Sequence, residues 1–309
     1  MLKSSLVFMV DPAAFSMNLE TAKTNAFQKK SDKIESEIQN QALLEFQSVV
    51  KMLQDVGVRV HVLKDQKERN TPDSIFPNNW VSFHQDGSVY LYPMCAPNRR
   101  RERELAIVLE IVDQHHLSLH QIIDMSFEEY YNRYLEGTGS IVFDHQNKLA
   151  YACRSERMHE DILNRVCELL GYRPIAFSAQ DDRGKAIYHT NVLMAMGNDF
   201  VVICLRSITD VFERDEVLAS LVRTGKEVID ISYDQMNHFC GNAIELSGQD
   251  GNRVLAMSTS AYENFTEAQR QCLAKYANLI HTPTPMIEQC GGGSVRCMIC
   301  EVDLPQKLY

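Results

Sequence analysis

The sequence predicts an α/β fold built from repeated ββαβ-like units, and three observations lead to that prediction. Four segments resemble one another, and each consists of an apolar run, a turn of the Asp-Gly or Asn-Asp type, and a second apolar run, as in a β-hairpin. Each hairpin is followed by a helical pattern and then by another apolar strand. The units recur at a spacing of about 50 residues. The four segments are residues 80–94, 139–153, 191–204 and 243–257.

The two ends of the chain together supply a fifth unit. The N-terminal part contains a predicted strand at 6–10, a long helix near 32–55 and a second strand at 58–63. A C-terminal strand within 295–302 would complete a hairpin with the strand at 6–10. The short apolar stretch near the N-terminus lacks the long apolar core of a signal peptide, so we interpret it as a strand.

The helices and third strands of the other units follow from apolar spacing and cap residues. A helix is predicted over 158–170, where Gly171 provides a C-terminal stop, and another over 266–277, where Thr266 is a suitable N-cap. The remaining predictions are a strand at 173–177, a helix at 213–223, a strand at 227–231 and a strand at 279–281.

Five such units cannot each bury a sheet face alone, but a radial array would bury all of them. The functional site of such an array lies near its central axis, where strand ends and loops converge. From the repeat alone, a mixed α/β sheet with chance similarity between segments is the alternative. No linker or composition break divides the chain, so we expect one domain over residues 1–309.

Composition restricts the class of partner and the compartment. The net charge of -10 and the absence of a basic run argue against nucleic acid or an anionic membrane as partner. No apolar run is long enough to span a membrane. The nine scattered cysteines suit reduced thiols, so we expect a cytoplasmic protein. The charge is compatible with a cationic or zwitterionic small-molecule substrate. The sequence leaves a homo-oligomer open.

The segment 289–301 is the richest in potential chemistry. Three glycines and Arg296 precede Cys297, and flexible backbone donors beside a cation favour a thiolate. Cys297 is therefore a candidate nucleophile. The spacing of Cys297 and Cys300 also fits a redox or metal CxxC, but no further metal-ligand motif accompanies it. We interpret Cys290 and Cys300 as buried, inert thiols.

Polar residues lie at the starts of four successive hairpins: Asn79, Glu136, His189 and Asn242. Each is a weak signal by itself, since an Asn caps turns and a lone His is more often structural. In a radial array, however, equivalent positions of the units face one axis. The array would therefore bring these four side chains together.

The motifs resemble those of the arginine deiminase and amidinotransferase superfamily. The run Gly291-Gly-Gly-Ser-Val-Arg-Cys297-Met is similar to its nucleophile motif. Leu-Glu136-Gly-Thr-Gly resembles its Glu-Gly-Gly-Asp motif, and His189-Thr-Asn191 resembles its His-x-Asp motif. The motifs occur in the family's order over residues 76–301, and the compact bacterial citrulline hydrolase-like proteins are the most similar subgroup.

This resemblance implies a five-bladed, pseudo-symmetric α/β propeller with a central active site. It also implies that Cys297 is the nucleophile, that His189 is the general acid and base, and that Glu136 orients His189 or holds a substrate nitrogen. The run Asn-Arg-Arg-Arg101-Glu resembles the segment that holds the substrate carboxylate in arginine deiminases, although a solvated helix start is the competing interpretation of Arg101. No metal or organic cofactor is implied.

Departures from the family pattern bear on the substrate. Ser140 and Asn191 stand where the family has Asp, and Asn78, Asn79 or His84 occupies the region of another family Asp. A dry site for a guanidinium needs opposing carboxylates, whereas an amide suits a neutral ureido group. With Asn79, Asn191, Asn242, Arg101 and His84 as candidate substrate-binding residues, the substrate expected first is citrulline.

Other functions remain open at this stage. Arginine deiminase or dimethylarginine hydrolase-like activity would use the same nucleophile, and an amidinotransferase would admit an amine in place of water. A thiol redox protein would need both Cys297 and Cys300, and a non-catalytic binding propeller would tolerate loss of Cys297.

Overall fold

The computed structural model describes residues 4–307, which form five three-stranded sheets. In every sheet the central strand pairs antiparallel with one neighbour and parallel with the other. The strands are β1 (Leu6–Asp11), β2 (Arg59–Lys64), β3 (Val81–Phe83), β4 (Ser88–Leu91), β5 (Gln121–Asp124), β6 (Val142–Asp144), β7 (Leu149–Arg154), β8 (Arg173–Ser178), β9 (Met194–Met196), β10 (Phe200–Ile203), β11 (Glu227–Asp230), β12 (Ile244–Ser247), β13 (Arg253–Ser258), β14 (Asn278–Thr282) and β15 (Cys300–Glu301).

Helices connect the second and third strands of the units and supply short turns at the hairpin starts. In chain order the α-helices are α1 (Glu35–Asp55), α2 (Leu105–Gln114), α3 (Gly137–Ser140), α4 (Glu160–Leu170), α5 (Thr190–Leu193), α6 (Val211–Arg223), α7 (Tyr233–Asn237), α8 (Thr259–Asn264) and α9 (Glu267–Leu273).

The local signals in the sequence locate most of these elements. Gly171 ends α4 in the left-handed conformation, with a φ of 70°. Thr266 begins α9 with a capping box in which its hydroxyl accepts the backbone N–H of Gln269. Helix α9 ends at Leu273, four residues before the predicted end, because the chain passes into turns over 274–276.

Each sheet with its helix forms a blade, and we number the blades by their strands. Blade 1 contains β15, β1 and β2, blade 2 contains β3–β5, blade 3 contains β6–β8, blade 4 contains β9–β11, and blade 5 contains β12–β14. Contacts join the first strands of neighbouring blades. Strand β15 contacts β3, β6 contacts β9, and β9 contacts β12. These strands surround the axis, and the α/β propeller predicted by the sequence is confirmed.

The ring closes through the two ends of the chain. Strand β15 pairs antiparallel with β1, with Val7 opposite Glu301 and Phe8 opposite Cys300. The predicted C-terminal strand is shorter than expected, because Val295–Met298 forms a 3₁₀ helix that carries Cys297. This closing strand fixes the position of the nucleophile segment relative to the rest of blade 1.

The hydrophobic core lies mainly between adjacent blades. One cluster of buried side chains joins blades 3, 4 and 5, and others join blade 1 to blade 5, blade 1 to blade 2, and blade 2 to blade 3. Within residues 4–307, no helix combines the length and the apolar character that a bilayer crossing requires.

Candidate active site

Two predicted residues from blade starts, Asn79 and His189, line one small cavity with Cys297, and Glu136 and Asn242 adjoin it through hydrogen bonds to His189 and to Sγ of Cys297. Glu136 and His189 are the N-cap residues of α3 and α5, and Asn79 ends a 3₁₀ turn before β3. All are buried, with at most 3 % of their surface exposed. The cavity is small, and its lining residues are Asn25, Asp73, Phe76, Asn79, Arg99, Arg157, Tyr188, His189, Gly291, Gly293 and Cys297.

The Cys297 thiol is bordered by side-chain amides. The Nδ2 atoms of Asn242 and Asn191 lie 3.2 and 3.5 Å from Sγ and donate towards it. Burial raises the pKa of Cys297, and the Asn242 amide, the Ser294 backbone and the charge of Arg296 act against that rise. The free protein therefore holds a protonated thiol with two N–H donors already placed to receive the thiolate.

His189 and Glu136 form a buried imidazole–carboxylate pair. The Nε2 atom of His189 lies 2.8 Å from Oε2 of Glu136. Burial lowers the pKa of His189 to about 4, against the opposing influence of Glu136. Burial acts to raise the pKa of Glu136, but Arg157 and His189 hold it well below its usual range. At neutral pH the pair is thus a neutral imidazole beside a carboxylate, and its Nδ1 atom remains available for proton transfer.

Part of the cavity lining, which we call the charged wall, consists of Arg99 and Arg157 with the carboxylates that they pair with. Arg99 is buried and forms a fork with Glu102, with Nε and Nη2 at 3.0 and 2.9 Å from the carboxylate oxygens, while its Nη1 donates to Asn79 at 2.6 Å. Burial raises the pKa of Glu102 to about 7 even beside this arginine. Arg157 approaches Glu136 at 3.4 Å and its guanidinium lies over the Tyr188 ring. Two cations thus face this end of the cavity.

Three buried side-chain atoms beside the site lack a hydrogen-bond partner among the described residues: Oδ1 of Asp73, Nδ2 of Asn78 and Oδ1 of Asn242. The other carboxylate oxygen of Asp73 is satisfied, since it accepts from Asn18 at 2.7 Å. An unpaired buried polar atom is costly. Of the three residues, Asp73 lines the cavity, so its unpaired oxygen is placed to accept a hydrogen bond from a ligand.

A loop between β1 and α1 covers the cavity, and residues 18–29 of it contact the site. Asn25 donates to the carbonyl of Gly291 at 3.2 Å, and Thr24 Oγ1 accepts from Arg157 at 2.7 Å. The backbone N–H of Lys29 donates to the carbonyl of Gln289 at 2.7 Å. The covering loop is thus tied both to the charged wall and to the nucleophile segment.

The structure corrects the assignment of Arg101. Its side chain is exposed and donates to the carbonyl of Asn70 at 2.8 Å, outside the cavity. The run Pro97–Glu102 is a 3₁₀ helix, in which residues three apart share a face. Arg99 and Glu102 therefore point inwards together, and the cation that reaches the cavity is Arg99.

His84 also lies away from the cavity. Its Nε2 atom is 2.7 Å from Ser82 Oγ, and its ring packs edge-on against Tyr90 and Phe143. Burial lowers its pKa to about 3, which keeps the imidazole neutral. His84 belongs to a buried polar network of blades 2 and 3, and the expectation that it binds substrate is not supported by its position.

Sequence reasoning did not identify Asp73, Arg157, Tyr188 and Asn25 as site residues. Tyr188 adjoins His189, and Asp73 precedes the Asn78-Asn79 pair. Their proximity to predicted site residues could have identified these two as site residues. Arg157 follows a strand without any motif, and Asn25 lies in a loop outside the repeats. In the described part of the chain, no group of three or more His, Cys, Asp or Glu side chains could hold a metal ion.

The chain matches a known protein family over most of its length. Residues 11–304 match the model of the family described as N,N dimethylarginine dimethylhydrolase, eukaryotic. No curated protein matches the chain significantly in sequence.

Solved structures share the fold at low sequence identity. The N-terminal domain of ArgZ, an arginine dihydrolase from the ornithine–ammonia cycle in cyanobacteria, superposes with a TM-score of 0.75 at 15 % identity, covering 98 % of this chain and 99 % of that one. Unliganded AgrE gives 0.76 at 16 % identity over 99 % of this chain, which spans only 40 % of AgrE. A variant of dimethylarginine dimethylaminohydrolase, solved as an adduct with S-methyl-L-thiocitrulline, gives 0.65 at 14 % identity, covering 97 % and 100 %.

Proposed function

The chain belongs to the N,N dimethylarginine dimethylhydrolase family of cysteine-dependent hydrolases of non-peptide C–N bonds, and from this premise we propose that it hydrolyses citrulline to ornithine, carbon dioxide and ammonia. Cys297 is the nucleophile, His189 is the acid and base, and Glu136 orients His189. The observation that carries the choice of citrulline is the surroundings of Sγ: both side chains that hydrogen-bond to it, Asn242 and Asn191, are neutral amides.

The amide border favours a neutral reacting group. A buried guanidinium needs carboxylates to offset its desolvation, and the nearby Glu136 is already engaged by His189 and Arg157. A ureido group offers one carbonyl acceptor and several N–H donors. Side-chain amides such as those of Asn242 and Asn191 beside Sγ can pair with both kinds of group.

The charged wall suits the amino-acid end of the substrate. Arg157 and Arg99 offer cations to an α-carboxylate, and the free Oδ1 of Asp73 offers an acceptor to an α-ammonium.

The first half of the reaction forms a covalent intermediate. Neutral His189 takes the thiol proton, and Glu136 stabilises the resulting imidazolium. The thiolate attacks the ureido carbon, and His189 returns the proton to the departing nitrogen, which leaves as ammonia. The amides of Asn242 and Asn191 stabilise the thiolate before attack and again when it is released.

The second half uses water as the nucleophile. His189 takes a proton from water as the water attacks the S-carbamoyl carbon, and the C–S bond breaks to restore Cys297. The released carbamate of ornithine loses carbon dioxide and gives ornithine. All nine cysteines are free thiols, which supports the proposal that the enzyme works in the reducing cytoplasm.

The second candidate substrate is arginine, whose conversion to citrulline would come one step before the hydrolysis of citrulline. The fold neighbours include arginine dihydrolase, and one AgrE structure is a complex with L-arginine. Arginine would lose ammonia to give citrulline in the same cavity, and the citrulline would then follow the path above. N,N-dimethylarginine, named by the family, would release dimethylamine instead in the first step.

The test is product analysis with three compounds. Purified protein is incubated separately with citrulline, arginine and N,N-dimethylarginine, and ammonia, dimethylamine, citrulline and ornithine are measured. The Cys297→Ala variant is expected to be folded and inactive, and Cys290→Ala, which removes another buried thiol of the same segment, serves as the matched control.

The outcomes separate the candidates. Ornithine from citrulline, lost only in Cys297→Ala, supports the main proposal. Ornithine from arginine without activity on added citrulline would replace it with the arginine reaction. Activity in Cys297→Ala would refute the mechanism for every substrate, and absence of all products would refute the proposed substrates.

A further inference from the structure

A short helix leads into the nucleophile segment, and the residues directly after its exposed first residue, Pro285, are buried. This helix covers residues 285–291, and its second part, Ile287–Gly291, is π-helical. Met286 and Ile287 are 5 % and 0 % exposed, so water cannot satisfy their backbone N–H groups. These N–H groups also lack acceptors within the helix, because the first turn of any helix leaves its donors free.

The missing acceptor is a carboxylate from α1, which is distant in sequence. Glu45, on α1 of blade 1, is 4 % exposed, and its Oε2 atom lies 3.0 Å from the backbone N of both Met286 and Ile287. Its Oε1 atom accepts from Met286 at 3.0 Å and from Gln41 at 3.2 Å. Both oxygens are thus used, and Glu45 caps a helix to which it is not connected in sequence.

The helix does not supply this cap itself. Thr284, which precedes it, directs its hydroxyl to Glu288 Oε1 at 3.3 Å. The N–H groups of Met286 and Ile287 therefore depend on Glu45. Acidic residues at a helix N-terminus also interact favourably with its dipole, so the carboxylate suits this position electrostatically.

A second carboxylate continues the connection to the nucleophile. The hydroxyl of Ser294 donates to Glu288 Oε1 at 2.6 Å, and the carbonyl of Ser294 accepts the backbone N–H of Cys297 at 3.0 Å. Between them, Gly292 takes a φ of 63°, which ends the helix and turns the chain. Hydrogen bonds and the short backbone stretches between them therefore connect α1 to the backbone of Cys297.

We propose that Glu45 is a positioning residue for the nucleophile: by capping helix 285–291 it sets, through Glu288 and Ser294, where Cys297 Sγ lies relative to the amides of Asn191 and Asn242. This inference rests on the proposed function for the role of Cys297. The sulfur must stay within hydrogen-bond reach of two amides from other blades, and small displacements in such sites have large effects on rate.

The experiment compares Glu45→Gln with Glu37→Gln, an exposed residue of the same helix. Gln keeps the size of Glu but offers one acceptor oxygen where the helix uses two. In Glu45→Gln, kcat is expected to fall about ten-fold with KM changed less than about two-fold. Glu37→Gln is expected to match the wild type.

A second readout needs no substrate. Alkylation of Cys297 by iodoacetamide, followed by peptide mass spectrometry over a range of pH, reports how readily the thiolate forms. In Glu45→Gln the midpoint of this pH profile is expected to move upwards, since the sulfur is less well placed against its amide donors. Ser294→Ala, which cuts the same connection at its other end, is expected to move the midpoint in the same direction.

The outcomes distinguish this inference from the proposed function. An unchanged alkylation profile in folded Glu45→Gln and Ser294→Ala, with lower melting temperature alone, would reduce Glu45 to a structural cap and overturn the inference. A shifted profile supports it even where none of the three candidate compounds is hydrolysed, a result that would overturn only the proposed function.

Discussion

The charged wall of the cavity and the amide border of Cys297 differ in charge and in the blades that supply them. The charged wall contains Arg99, Arg157, Asp73 and Glu136, most of them already paired with one another. The amide border of Cys297 contains Asn191 and Asn242, from blades 4 and 5, and each contributes a neutral donor to Sγ. One side of the site is therefore rich in fixed charge, and the other has almost none.

This difference divides the recognition of a substrate into two tasks. A charged wall can hold the zwitterionic end of an amino acid, which is common to citrulline, arginine and methylated arginines. The amide border meets the reacting group, which is where these compounds differ in charge. Substitutions in the amide border should therefore change the specificity for the reacting group, and substitutions in the charged wall should change the affinity for the amino acid.

The largest expected effect comes from removing His189, the acid and base of the proposed mechanism. His189→Asn is expected to lower kcat about 1,000-fold, because both the thiol proton and the departing nitrogen depend on it. His84→Asn removes another buried imidazole that lies outside the cavity. It should reduce stability and leave kcat within about three-fold of the wild type. Steady-state kinetics and thermal melting of both variants test this, and equal losses of kcat would contradict it.

The pH profile provides a second test of His189. Its pKa is lowered to about 4, and the mechanism needs the neutral imidazole as base. The wild-type kcat/KM should therefore remain insensitive to His189 until the pH falls towards 4, and then decline as the imidazole gains a proton. A decline centred near the ordinary histidine value of 6.5 would show that His189 is not held neutral as the structure indicates.

The charged wall is tested with a matched pair of arginines. Arg157→Gln is expected to raise KM about 30-fold, because it removes a cavity cation and a contact of the covering loop. Arg101→Gln removes an exposed arginine and should leave KM within about two-fold. An Arg101→Gln defect as large as that of Arg157→Gln would restore the assignment that the sequence first suggested.

A smaller effect is expected from placing charge in the amide border. Asn191→Asp should shift the ratio of kcat/KM for arginine to that for citrulline about ten-fold towards arginine, since a carboxylate offsets a guanidinium and not a ureido group. The isosteric change leaves the cavity shape in place. A ratio that does not move would show that the neutral border does not select the substrate.

The smallest effect concerns the other thiol of the CxxC spacing. Cys300 is buried, and its Sγ donates to the carbonyl of Val81 at 3.4 Å. Cys300→Ser should keep kcat within about two-fold, because Cys300 is not among the residues that line the cavity. Complete loss of activity in folded Cys300→Ser would favour thiol redox chemistry over hydrolysis.

The repeat predicted the hairpin units, because each hairpin is encoded locally, and the resemblance to the family then implied the propeller. Two apolar runs and a tight turn specify two paired strands over about fifteen residues. The start of each hairpin then occupies an equivalent place in every blade. The convergence of Asn79, Glu136, His189 and Asn242 near Cys297 follows from that equivalence, and the structure confirms that they come together.

The arginines show that the local sequence pattern was insufficient to predict which cation faces the cavity. Three adjacent arginines, Arg99 to Arg101, look alike in sequence, and only their surroundings distinguish them. Arg99 faces inwards because a 3₁₀ helix pairs it with Glu102 and directs it to Asn79, twenty residues away. Arg157 reaches the site through contacts with Thr21, 136 residues before it, and no local motif accompanies it.

The sequence by itself determined the repeated unit, the strand positions and the group of Cys, His and Glu side chains that the ring brings together. Only the tertiary structure decided which arginine faces the cavity, which loop covers it and which distant carboxylate caps the nucleophile helix. The physical reason is the range of the interactions involved. Periodicity and turn chemistry act between near neighbours, whereas buried charges and uncapped N–H groups are satisfied by whichever partner the packed blades bring near.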